Sequence, residues 1–143
     1  MFIAQEATFA ELEGAMVRMA VPERAEMSVL VIDDEPEICF LVKNMLNRAG
    51  IECELAHSIA QGREQLRSGR FQAVLLDIHL PDGLGYQMIP EIRAFQPEAS
   101  VIAISAVDQE QENATNKGAD LFIAKPFDGS SILGGLRALG ITA

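Results

Sequence analysis

Asp33 and Asp34 follow the apolar run Val29–Ile32, Asp77 closes Ala73–Leu76, Ser105 closes Val101–Ile104, and Lys125 comes just after Leu121–Ile123. Taken singly, these residues say little. An Asp-Asp pair after a strand is usually a turn or helix cap, and a strand-end Ser or Lys is usually satisfied or solvated. Asp77 is stranger, because an ionised carboxylate next to Val74-Leu-Leu76 is costly to desolvate. If the strand ends converge, three carboxylates share one pocket, and at about 4 Å with an effective dielectric near 20 a like-charge pair costs roughly 4 kcal/mol. Such a cluster must take up protons or hold a divalent cation. Oxygen-only donors point to Mg²⁺, which keeps several waters and accepts one or two carboxylates plus phosphate oxygens. One carboxylate could then attack phosphorus while Lys125 neutralises the moving oxygens and Ser105 donates to the same group. The chemistry is that of a phosphoryl group carried on an aspartate.

Those residues need a scaffold that brings strand ends together. From about Ser28 the chain alternates five Val-, Ile- and Leu-rich runs with amphipathic stretches: Val29–Ile32, Glu52–Ala56, Ala73–Ile78, Val101–Ile104 and Leu121–Ile123. The first, third and fourth show no polar alternation, as expected of strands buried on both faces in a parallel sheet. Pro36 suits a first helical position, and Ile38, Leu41, Val42, Met45 and Leu46 form a stripe that stops at Gly50. Ser58–Gln61 and Asp108–Gln111 resemble capping boxes, and Asp128 suits the cap of the last helix. The pattern is (βα)5, and right-handed crossovers make it a doubly wound α/β sheet. Ligands in such sheets bind beyond the carboxyl ends of the strands. The segment Asp108–Asn116 has almost no apolar face apart from Ala114, which predicts a marginal, movable helix.

Residues 1–27 stand outside the alternation. Thr8–Glu11 suits a capping box, and Phe9, Leu12, Met16 and Met19 fall at helical spacing, so a short amphipathic helix is expected around 8–20. Three readings stay open: a loosely packed extension, a docking or dimerisation arm, or a natural start at Met27. The division expected is therefore an extension over 1–27 and one domain over 28–143. The 143 residues are 49% hydrophobic, enough for one domain with a real core. Lys and Arg number 11 against 21 Asp and Glu, a net charge of −10 that argues against a nucleic-acid surface. Cys39 and Cys53 read as reduced core residues of a cytoplasmic protein. No apolar run is long enough to span a bilayer and no secretory signal is expected.

Four blocks, Val29–Pro36, Leu75–Gly83, Ile102–Ala106 and Gly118–Phe127, occur in an order and spacing that resembles the receiver domain of two-component response regulators, over about residues 28–140. The resemblance implies a flavodoxin-like sandwich with parallel strand order 2-1-3-4-5. It implies Asp77 as phosphoacceptor, with the donor a histidine of a sensor kinase or phosphotransfer protein. Asp34, Asp77 and the His79 backbone carbonyl would hold Mg²⁺ directly, and Asp33 would act through a metal-bound water. Lys125 would pair with the phosphoryl oxygens, Ser105 would move toward them, and Phe122 would be the switch aromatic. His79 borders the site, and a cis bond before Pro126 is expected. The last helix ends close to Ala143, so a stand-alone receiver signalling to an unknown protein target is expected, with no nucleic-acid or membrane partner and a homodimer left open. It would catalyse only its own phosphorylation and dephosphorylation. The alternatives are a receiver-like binding module independent of phosphorylation and a Mg²⁺-dependent phosphohydrolase. The latter lacks an Asp two residues after Asp77, where His79 stands.

Overall fold

In a computed structural model, which describes residues 28–141 and so leaves the helix expected around 8–20 outside the described residues, the apolar runs become a five-stranded parallel sheet. The elements in chain order are β1 (Ser28–Ile32), α1 (Pro36–Arg48), β2 (Glu52–Ala56), α2 (Ile59–Ser68), β3 (Ala73–Asp77), α3 (Met88–Phe95), β4 (Ser100–Ser105), α4 (Glu110–Asn116), β5 (Leu121–Ala124) and α5 (Gly129–Ala138). The sheet order is β2-β1-β3-β4-β5, the doubly wound arrangement that the sequence implies. Between β3 and α3 a two-stranded antiparallel ribbon pairs His79–Leu80 with Gly83–Leu84. Pro81 and Asp82 form its tip.

Alternate side chains along a strand point to opposite faces, and both faces here are covered. Val29 and Val31 pack with Val42 and Leu46 of α1 and Ile132 and Leu136 of α5. Leu30 and Ile32 pack with Ile59 and Leu66 of α2 and Met88 and Ile92 of α3. These four apolar side chains of β1 are fully buried, each contributing about 1.5–3 kcal/mol of hydrophobic stabilisation. This explains why β1 shows no polar alternation in sequence.

The helix ends follow local chemistry, with two departures from expectation. Pro36 opens α1, and Gly50, at φ +81°, follows its end. Ser58 accepts from the Gln61 amide at 3.1 Å, and Asp128 accepts from the Ser131 amide at 3.0 Å. Asp108, by contrast, is not a side-chain cap. Gln109 already has helical angles, and the Gln111 amide bonds to the Asp108 backbone carbonyl at 3.1 Å instead. Leu41 leaves the expected stripe. The buried line of α1 is Cys39, Val42 and Leu46, which turns Leu41 outward at 46% exposure. As its sequence suggests, α4 buries only Ala114. Cys39 and Cys53 are free and buried; burial, the largest cause, lifts their thiols to about 11 and about 12. No helix among the described residues is long and apolar enough to cross a membrane.

Candidate phosphoryl-acceptor site

The register of the sheet assembles the site. Ile32 pairs with Leu76, so the next residues, Asp33 and Asp77, leave the sheet side by side. Asp77 pairs with Ile104, which puts Ser105 one step further along, and Ser105 pairs with Ala124 beside Lys125. Four separate strands thus deliver the four polar groups to one end. Oxygens of Asp33, Asp34 and Asp77 lie within 4.8 Å of one another. Asp33 is fully buried and Asp77 nearly so, while Asp34 is exposed to solvent at the mouth.

Lys125 is the common counter-charge. Its Nζ lies 2.9 Å from Asp33 Oδ2, 3.4 Å from Asp77 Oδ2 and 2.8 Å from Glu35 Oε1. Burial alone would lower its pKa, but bonds to Glu35 and Asp33 and the charges of Asp33 and Asp77 hold it above the usual lysine range. Asp77 goes the other way. Burial first, then the Asp33 charge, raise its carboxyl to about 6 against the pull of Lys125 and the His79 amide. The His79 amide donates to Asp77 Oδ1 at 3.3 Å, and the Glu35 amide donates to Asp33 Oδ1 at 2.9 Å. Asp33 Oδ2 is buried and has the Lys125 ammonium, at 2.9 Å, as its partner. A cluster of carboxylate oxygens around one ammonium leaves donor atoms that a metal cation can share.

These features fit a divalent ion. The donors are all oxygen, one carboxylate is open to solvent, and a single ammonium, in contact with Asp33, Asp77 and Glu35, serves a cluster that also holds Asp34. Asp33, Asp34 and Asp77 are the side chains able to hold Mg²⁺.

The remaining expected residues lie around this centre. Ser105 is buried, and its hydroxyl accepts from the Val107 amide at 3.1 Å. Phe122 is half-buried against Ile78, Ala103 and Ala114 under α4. The Lys125–Pro126 bond is cis. His79 is mostly exposed on the ribbon, with Nε2 3.3 Å from Glu110 Oε2.

Several contacts escaped the sequence reading. Glu35, directly after two aspartates, brings a third consecutive acid to the site through its contact with Lys125. Tyr86, in the 3-10 turn that follows the ribbon, donates to Glu110 of α4, and Lys117 sits 5.8 Å over the Tyr86 ring. Burial and Glu110 both push the Tyr86 hydroxyl above its ordinary pKa. No local pattern announces a contact between residues so far apart in sequence. Asp82 reaches from the ribbon to the start of α2, accepting from the Ile59 and Ala60 amides at 2.8 and 3.1 Å. Gly85 donates to the Ile78 carbonyl at 2.7 Å, and a Cβ there would overlap the Asp77 carbonyl oxygen.

Comparisons with known proteins match this arrangement. The response regulator receiver domain model covers residues 29–137. Transcriptional regulatory protein DltR of Streptococcus agalactiae is 32% identical over 113 residues, 78% of this chain and 50% of that protein. Response regulator protein PilR of Pseudomonas aeruginosa is 33% identical over 121 residues, 83% of this chain and 26% of its own length. A two-component response regulator from Clostridium difficile superposes with a TM-score of 0.74 at 25% identity, over 78% of this chain and 93% of that one. The chain spans about half the length of DltR and about a quarter of PilR. On the family model and the identities together, the chain belongs to the response regulator receiver domain family.

Proposed function

We propose that this receiver accepts a phosphoryl group on Asp77 from a phosphohistidine of a sensor kinase or phosphotransfer protein, and passes the signal on by protein–protein contact. One observation carries the reading: Lys125 bridges Asp33 and Asp77, whose oxygens lie with one of Asp34 within 4.8 Å of one another. An Asp77 oxygen forms the new O–P bond as the N–P bond of the donor breaks, and the histidine leaves with the electron pair. Mg²⁺, held by Asp33, Asp34 and Asp77 with the His79 carbonyl, would neutralise charge on the transferring group. Lys125 exchanges its contact with Asp77 for one with a phosphoryl oxygen. Ser105 gives up the Val107 amide and turns its hydroxyl to donate to another. Phe122 and α4, which share the small cluster with Ala114, then move with Ser105. The chain is in this reading a single-turnover acceptor in the cytoplasm, and its output is a protein target.

Intact-mass spectrometry after incubation with acetyl phosphate tests this, with and without Mg²⁺, on the native chain and on Asp77→Ala. A Mg²⁺-dependent gain of one phosphoryl group that the variant lacks supports the proposal. Absence of labelling, together with no Mg²⁺-dependent binding of beryllofluoride, overturns it.

A further inference from the structure

The outer surface of α1 is unusually apolar for a helix facing solvent. Phe40 is 70% exposed and Leu41 46%. They border a groove of about 510 Å³ between α1 and α5, lined also by Asn44, Arg48, Gly129 and Leu133. Arg48 is the one charged side chain in that lining. Exposed apolar surface of this kind needs a cover.

The chain itself supplies a segment of matching chemistry. Phe9, Leu12, Met16 and Met19 fall at helical spacing, so a helix there would carry one apolar stripe. A helix over 8–20 would be about 20 Å long, the same as the 13-residue α1. Its tether also fits. Residue 28 pairs with Glu52, which follows Ala49 at the foot of the groove by three residues. The seven residues 21–27 span up to about 23 Å, enough to return from β1 to that foot. We propose that residues 8–20 form a helix that lays its Phe9, Leu12, Met16 and Met19 stripe into the α1–α5 groove of the same chain.

A spin label on Ala10→Cys, a position off the stripe, tests this in the full chain. Cys39 and Cys53 are buried and their thiols are poorly ionised near neutral pH, so the label goes to the introduced cysteine. The expected result is broadening of amide signals centred on Leu41, Asn44, Gly129 and Leu133, and its loss on adding Leu12→Asp. A mixed sample, with spin label on unenriched chains and ¹⁵N on unlabelled ones, should show no such broadening. Broadening centred elsewhere or spread evenly over the surface overturns the proposal. Broadening of the groove in the mixed sample overturns it in favour of the arm of a second copy. Groove broadening that survives Leu12→Asp also overturns it, because the apolar stripe would then not be what seats the helix.

Discussion

Replacing Asp77 with Asn should make the metal-free protein more stable, although it removes the proposed nucleophile. The native carboxyl is lifted from 3.8 to about 6, chiefly by burial and then by Asp33, and Lys125 offsets only part of this. The folded protein therefore holds a proton on Asp77 more tightly than the unfolded chain does. That stabilisation is complete below about pH 4 and is lost as pH rises through about 6. At 1.36 kcal/mol per pH unit the ionised form costs about 3 kcal/mol, and solvent at the open mouth of the pocket reduces this to about 2 kcal/mol. Asn keeps the shape and stays neutral, so Asp77→Asn should gain about 2 kcal/mol at pH 7.5 and nothing at pH 4. Urea unfolding in EDTA, native and variant in parallel from pH 4 to 8, reads the difference directly. Mg²⁺ should then reverse the order, since at a hundred times its dissociation constant a bound ligand adds about 2.7 kcal/mol to the native form. Equal stabilities at every pH, or a variant weaker at pH 7.5, would refute the reasoning and show that the Lys125 attraction outweighs burial.

Lys125→Met should leave Asp33 and Asp77 without their shared cation; the variant should lose about 3 kcal/mol near neutral pH in EDTA and recover part of it with Mg²⁺, read by urea unfolding. Asp128→Ala removes the cap that accepts from Ser131 in a helix already weakened by Gly134 and Gly135. The expected cost is about 1 kcal/mol, visible as a lowered Tm. Tyr86→Phe cuts the bond to Glu110 without opening a cavity, so amide exchange should accelerate in α4 while β1 and β3 keep their protection.

The sheet and the strand-end chemistry were legible because both follow from short-range pattern. A strand buried on both faces needs consecutive apolar residues, and β1, β3 and β4 supply them. Asp33, Asp77, Ser105 and Lys125 could be grouped because a parallel sheet sends all its carboxyl ends one way. Leu41 was misplaced because helical periodicity defines a stripe but not the angle at which the sheet meets it. Asp108 was misplaced because a capping side chain competes with a turn that its own backbone can make. The Tyr86–Glu110 contact and the hold of Asp82 on α2 depend on how the ribbon folds back, which no local spacing encodes.

Gly85 has a consequence for anyone altering this protein. Its missing side chain leaves the room that the Asp77 carbonyl occupies, and Leu76 closes the other side at 3.1 Å from where a Cβ would stand. The nearer obstacle is backbone of the central sheet, so an added methyl group cannot be accommodated by a swinging side chain. The backbone that aims Asp77 would have to give way instead. A change at Gly85 would therefore mimic the loss of Asp77 in any labelling screen while the carboxylate itself remained in the sequence. A library that varies the ribbon freely would record position 85 as chemically essential, when its role is to be vacant space.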